Sequence, residues 1–499
     1  MEIAECQAVT GALPNFVAGG NLIVSNVVIR EMSGEPREVW RADGGAAMIP
    51  IVNYDGSITT CPRERPLPRS VAEIQSILRD ASRYPSPVRA MGRYHSLTPC
   101  ASSDGTIIDM TQMNRVLEID PERMTITAEA GLQLIDASKA LRARGLQFIT
   151  NIEIGNITLG AAACCHSKDA LDGVEFGQVS SYVTKIKWVT PTGELTEASE
   201  ADSPDMLRLI RSSYGLGGVI YEVTLRIKPL EAIHFSYLPR PIDKLTEEEV
   251  DRIIDSSEGL TCWTVGKTAH FQTRKRVPKV GLIGPLFAAA RRKLWNDIAA
   301  RTGRFIDLHV PTRPLKNLTL SGWFATTNLI YSALHLAGGF SLYDPDKTVD
   351  YRSTPDSAKY VFTFWAFPRR QWLSTLREYV EFADRHFKQY GFRCNMQLGS
   401  YFIRKDTSSL LSYTFDGDMF SIDPIHACTD KAAWDRFLKE FNEFAYQRNG
   451  VPLLNQSPFV ERRYVTAAYG TRWEDFSARM KAMDPDGRMV NPFFAALLS

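Results

Sequence analysis

The spacing of apolar positions changes period several times along the chain, and each change marks an element. From Ser70, the residues Val71, Ile74, Ile77 and Leu78 fall on one helical face, and Ser70 with Glu73 three positions later makes a capping box. A helix is predicted there, running to near Arg83. The period then shortens: PVRAMG and TIIDM read as strands on either side of the loop GRYHSLTPCASSDG, followed by RVLEID and MTITAEAG. Leu134, Ala137, Ala140 and Leu141 restore the helical period until Gly145, a residue suited to the left-handed position past a helix end. A Gly- and Ala-rich loop, NIEIGNITLGAAACCHSKDALDGVEFG, leads into the hairpin YVTKIKWVTPTGEL, turning at Pro191 to Gly193, and a helix around Asp205 to Ser213.

Later segments pair aromatic-rich strands such as YVFTFWAF with helical runs such as QWLSTLREYVEFADRHF. Near the end, Trp473, Phe476, Met480 and Met483 share a helical face that Asp484-Pro485 and Gly487 terminate. Residues 1–57 hold short apolar runs broken by Gly, Asp and Asn and read as an N-terminal extension without recognisable chemistry. The expected division is therefore 1–57, an α+β domain over 58–230, an α+β cap over 231–455, and a segment over 456–499 that returns to the first domain.

Length supports more than one core, since 499 residues exceed the ~250–300 at which a single core stops growing. Hydrophobic content of 44% and charged content of 23% are those of a globular protein. The 58 basic and 57 acidic side chains leave a formal charge of +1, so no global field favours nucleic acid. The eight cysteines lack paired C-x-x-C spacing, which points to a reducing compartment and to no zinc site. The first residues have neither a basic start nor an apolar run, and no stretch reaches the ~18 apolar residues of a membrane span; the expectation is a cytoplasmic protein.

Two loops carry the candidate chemistry. Gly92-Arg93-Tyr94-His95-Ser96 offers the close backbone approach that a pyrophosphate needs, and ITLGAAACCHS offers a second small-residue loop about sixty residues on. The order PRSVAEIQSILRDA, PVRAMGRYHS, IIDMTQMN, ITLGAAACCHS, GQVSSYVTKIKWVTPTGEL resembles the FAD-binding half of the vanillyl-alcohol oxidase and p-cresol methylhydroxylase superfamily over about 170 residues. The tail WEDFSARMKAMDPDGRMVNPFF is similar to the end of the aldonolactone oxidase branch.

That resemblance implies a two-subdomain FAD-binding domain plus a cap, and FAD as cofactor. It implies that His95 is joined to the flavin 8α-methyl group, and that Gly155, Thr158, Leu159, Gly160, Cys164, Gly173 and Gly177 line the cofactor, with Gly217, Gly218, Val219 and Ile220 near the adenine and Asn491 returning from the tail. A second covalent cysteine of some relatives falls near Ile154 here, so one link is expected. Where relatives read G-G-x-x-A-T-G-T-H-G, this chain has Gly160-Ala161-Ala162-Ala163-Cys164-Cys165-His166-Ser167, with His166 one residue early. Cys164 and Cys165 read as packing residues.

The implied reaction is oxidation of an alcohol group of a sugar, polyol, lactone or lipid-linked sugar, with oxygen or another acceptor receiving the electrons. The Glu-x-Arg and His-Trp-Gly-Lys stretches of aldonolactone and alditol oxidases are absent; the Glu and Arg positions fall on Gly399 and Tyr401. LLSYTFDGDMFSIDPI, after CNMQLGSYF, is similar to cap strands of the decaprenylphosphoryl-ribose oxidase branch. Alcohol oxidation needs a proton acceptor, for which Tyr401, Lys405, Gln397 and Asn455 are candidates. Residues 274–304 carry nine Lys or Arg against one Asp. They read either as a membrane-surface helix or as a cap helix with Leu286, Phe287, Ala290, Leu294 and Ile298 inward and Arg291, Arg292 and Lys293 in water. A nicotinamide-dependent reductase and a nonenzymatic membrane-surface protein are the rival readings; the oligomeric state is left open.

Overall fold

The computed structural model describes the backbone of residues 27–30 and 36–39, and residues 50–170, 177–281 and 284–499 in full. Two antiparallel sheets and one parallel strand pair organise it. Val88–Met91 and Thr106–Asp109 run parallel, with helix Val71–Arg79 packing Ile74, Ile77 and Leu78 against Val88 and Ile108. Ser70 caps that helix by accepting from the Glu73 amide, while the Glu73 carboxylate accepts from the Arg69 amide. The helix stops four residues before Arg83 because the Asp80 carboxylate accepts from the Ser82 hydroxyl and the Arg83 amide, offering the backbone a turn in place of another helical step.

The first sheet orders Leu195–Ser199, Val183–Val189, Val219–Pro229, Thr125–Glu129 and Val116–Asp120, with Leu146–Phe148 pairing the far end of Val219–Pro229. Its buried face closes over helices Leu134–Arg142 and Leu159–Cys164. The second sheet has eight antiparallel strands, beginning with Ala232–Pro241. Only Leu230 and Glu231 separate a strand of the first sheet from a strand of the second. Helices Arg369–Tyr390 and Lys431–Tyr446 cover it, Gly391 ending the first at φ +73. This is an α+β fold.

The last residues grip the first unit. The Val88 amide donates to the Arg488 carbonyl, the Arg488 guanidinium donates to the Ile77 and Leu78 carbonyls, and Asn491 Nδ2 reaches the carbonyls of Pro99 and Ser102 at 2.9 Å.

Residues 284–304 depart from the expected helix. The inward face carries Gly284, Ala288 and Trp295, and past the π turn at Leu294–Ile298 it continues at Ala299, which leaves Leu286, Ala290 and Ile298 exposed. Arg291 turns inward and pairs with Glu153. Arg274, Arg276, Lys293 and Arg301 are also ion-paired within the fold, and Arg292 donates to the Asp346 carbonyl, so most of this segment's charge is engaged internally. No helix among the described residues is long and apolar enough to cross a membrane.

Candidate functional site

The parallel strand Val88–Met91 delivers the loop 92–96 to the edge of a cleft of about 1100 Å³, open mouth included. The chain bends there through Tyr94 at φ +53, and the amides of Arg93, Tyr94, His95 and Ser96 make no backbone hydrogen bond as donors among the described residues. They are available to an anion. Across the cleft, Thr158 sits so close to Gly92 that a Cβ at 92 would lie 2.3 Å from its Oγ1. Helix Leu159–Cys164 follows, with the Gly160 amide on the Ala130 carbonyl and both residues lining the cleft.

Ile152, Ile154, Ile157 and Met110 form apolar wall, whereas Ser167 Oγ, Asn455 Oδ1 and Gln456 Oε1 are buried there without a partner among the described residues. Buried polar atoms are ordinarily bonded, so these three imply a guest with its own donors and acceptors. A flavin dinucleotide fits: a pyrophosphate for the free amides, a flat apolar ring for the isoleucines, and ring heteroatoms for the side-chain amides and the hydroxyl.

His95 lines this cleft and stacks on Tyr54, ring centroids 5.2 Å apart, with Tyr351 at its edge. Burial, reinforced by Arg93 and Lys359, lowers its pKa to about 4, so the imidazole is neutral and keeps a lone pair at physiological pH. Tyr54 belongs to the N-terminal stretch that reads as chemically empty in sequence.

A second cavity of about 850 Å³ shares Ile152, Ile154, Ser167, Phe362 and Gln456 with the first. Its walls are Trp263, Trp295, Tyr351, Tyr360 and Tyr401, and its polar groups include Gln397, Lys168, Asp423, Glu153 and Arg291. Tyr401 and Gln397 thus meet in this cavity, and Asn455 lines the cleft beside it. Lys405 does not join them. It follows strand Leu398–Ile403, is exposed, and lines neither space, because the strand's inward alternation has already ended. Lys168, Asp423 and Glu153 went unread in the sequence because no short motif carries them, and Arg291, expected in water, lines the cavity instead.

The other expected positions fall as follows. His166 is fully buried but faces away from the cleft, its ring between Tyr214 and Tyr413 at 6.0 and 6.3 Å. The backbone is extended from Cys165, so alternate residues Cys165 and Ser167 line the cleft while His166 points opposite. Burial lowers its pKa to about 4, against the pull of Asp406. Leu159 packs in the core of the first sheet, and Val219 packs with Val88 and Ile108.

Gly155 is required by the approach of another segment, since its Cβ would lie 2.7 Å from the Val349 carbonyl. Gly177 abuts Ile403, Gly217 abuts Met483, and Gly218, at φ +127, faces the Val189 carbonyl. Asn491 caps helix Pro492–Leu498 and braces the loop behind the cleft. Of the positions expected near the adenine, Ile220 alone lines the cleft; Cys164 lines it too, its Sγ 3.9 Å from that of Cys165. Gly173 lies outside the described residues.

Comparison with known proteins agrees with this geometry. Residues 66–199 match the FAD binding domain family. L-gulono-1,4-lactone dehydrogenase of Mycobacterium tuberculosis is 33% identical over 214 residues, 42% of this chain and 48% of that one. L-gulonolactone oxidase of Bos taurus is 28% identical over 210 residues, 42% of this chain and 47% of that one. The matched stretch therefore spans about half the length of these relatives. Among solved structures, cholesterol oxidase from B. sterolicum superposes with a TM-score of 0.69 at 15% identity, covering 90% of this chain and 96% of that chain, which is a likeness of fold. The chain carries, over residues 66–199, an FAD binding domain.

Proposed function

We propose that this chain oxidises an alcohol group of a sugar lactone, sugar, polyol or lipid-linked sugar, with FAD in the first cleft and the substrate in the second cavity. The observation that carries this reading is the wall the two spaces share, which brings a guest in one against a guest in the other. FAD, when bound, accepts the hydride and is reoxidised by oxygen or another acceptor. The chain's own task is to bind, orient and exclude water. Trp263, Trp295 and Tyr360 suit the apolar faces of a sugar ring, while Tyr401, Gln397 and the Glu153–Arg291 pair suit its hydroxyls. Asn455 orients from the cleft side. The lactone-oxidising relatives support the substrate class.

We further propose that His95 carries the flavin covalently. Its place on the cleft wall, its neutral ring and its stacking on Tyr54 support this, and Ile154 stands where a second attachment would require a cysteine. The test is an absorption spectrum of purified protein followed by acid precipitation. Yellow pellet from the wild type and colourless pellet from His95→Ala are expected, with flavin reduction by lactones or polyols. Flavin released to the supernatant refutes the attachment, reduction by NADPH alone favours a reductase, and a protein that takes up no flavin overturns the whole reading.

A further inference from the structure

One buried ion pair in the second cavity has no counterpart in the motifs of the sequence. Lys168 Nζ lies 3.3 Å from Asp423 Oδ2, with side-chain exposures of only 7% and 4%. The two come from different parts of the fold. Lys168 follows the cofactor loop, next to Ser167 on the shared wall, and its ammonium sits 4.0 Å from the Phe364 ring centroid and 4.8 Å from that of Tyr401.

Asp423 follows strand Met419–Ile422, and its backbone exchanges two hydrogen bonds with Gly399 at 3.1 and 2.8 Å. A Cβ at Gly399 would already be 3.4 Å from Trp263 and 3.7 Å from the Asp423 Cβ, so the missing side chain at 399 leaves the space that Asp423 and Trp263 occupy. The Asp423 carboxyl is engaged by the lysine at Oδ2 and by the Ser421 hydroxyl, whereas Oδ1 meets no hydrogen-bond partner among the described residues.

Desolvating an ion pair is costly, and a buried pair with one unused carboxylate oxygen, on a residue that lines a cavity, leaves part of that cost uncompensated if its role is only structural. The neighbouring Asp169 shows the contrast, since both its oxygens are taken by Arg274 and it also pairs with Lys347. An alcohol in the cavity supplies the donor that Oδ1 lacks.

We propose that Asp423 is the proton acceptor for a substrate hydroxyl in the second cavity and that Lys168 is its positioning residue. The inference rests on the alcohol-oxidation reading above. In the step, the hydroxyl O–H bond breaks and its proton moves to Asp423 Oδ1. The electron pair left on oxygen closes the C=O bond as the carbinol C–H pair departs as hydride to the flavin. Asp423 returns the proton to solvent after product leaves.

Burial raises the Asp423 carboxyl to about 6 against the opposing pull of Lys168, near enough to neutrality for both forms to be populated. The titratable and charged groups around it are Lys168 and Asp169 from the cofactor loop, Tyr401 from its strand and Tyr413 beyond it, with Glu153, Arg274 and Asp406 facing those tyrosines. Both tyrosines are held well above their ordinary pKa by burial and stay protonated.

The experiment uses FAD-loaded wild type, Asp423→Asn and Lys168→Met, with L-gulono-1,4-lactone and a polyol panel as probes. Flavin reduction is followed anaerobically by stopped flow, and the carboxyl band by infrared titration of the holoenzyme without probe. Asp423→Asn is expected to keep its flavin and slow reduction by about 100-fold or more. It should also lose a carboxyl signal that titrates in the wild type. Lys168→Met removes a cation, so the same signal and the acid limb of the rate profile should move to higher pH. A reactive wild type beside an equally reactive Asp423→Asn overturns the proposal alone, as does a carboxyl signal unmoved in Lys168→Met. A wild-type holoenzyme inert to every probe overturns the alcohol-oxidation reading and this proposal with it.

Discussion

Asp169 is where the fold should register a single lost charge most sharply. Its carboxylate is 6% exposed, meets both terminal nitrogens of Arg274 at 3.1 Å and pairs with Lys347, which also pairs with Asp344 at 2.5 Å. Burial alone would raise its pKa, but Arg274 and Lys347 overcome burial and hold it at about 2. A carboxyl depressed in the folded state contributes stability that is present above its unfolded pKa of 3.8 and is lost as pH falls through 2.

That shift corresponds to roughly 2 kcal/mol of pH-linked stability. Asp169→Asn keeps the shape and removes the counter-charge that two buried cations share, a loss of about 3–5 kcal/mol at neutral pH. Urea denaturation followed by tryptophan fluorescence, repeated between pH 5 and 2, measures both. The variant should be destabilised by that amount at pH 7 and should lack the roughly 2 kcal/mol of acid-induced loss that the wild type shows over the window. A variant within about 1 kcal/mol of wild type at pH 7, or one with the same acid slope, refutes the argument that this network is held by the Asp169 charge.

Further expectations follow from the same geometry. Gly92→Ala drives a Cβ to within 2.3 Å of Thr158 Oγ1, so flavin content per mole of protein should fall while far-ultraviolet circular dichroism stays the same. His166 has a folded pKa of about 4 against 6.5, so its contribution is full above pH 6.5 and lost as pH falls toward 4. His166→Phe should remove roughly 2 kcal/mol of that acid-induced loss, read from melting temperatures at pH 7 and 4.5. Arg291→Met breaks the 3.5 Å pair with Glu153 in the second cavity. It should weaken lactone binding about tenfold at unchanged flavin content, and unchanged binding would remove Arg291 from the substrate site.

The sequence by itself determined the elements, because their causes are local. The period of Val71, Ile74, Ile77 and Leu78, the cap at Ser70 and the left-handed residue at Gly145 act within a few positions, and the loop 92–96 follows its strand directly. What failed was orientation within loops. One residue of phase decides whether His166 or Ser167 faces the cleft, and the extended backbone that sets this phase begins where helix Leu159–Cys164 ends. Likewise one residue of helical phase, with Ala288 and Trp295 inward where Phe287 and Leu294 are expected, carried Arg291 from expected solvent to the cavity wall.

Only the tertiary structure decided which distant residues share a site. Lys168 and Asp423 are 255 positions apart, and Tyr54 and His95 belong to different segments. The first pair meets because the second sheet closes against the loop after helix Leu159–Cys164, and the second because the Tyr54 amide donates to the Tyr94 carbonyl; pairing over such separations leaves no periodic or short-range trace in a single chain.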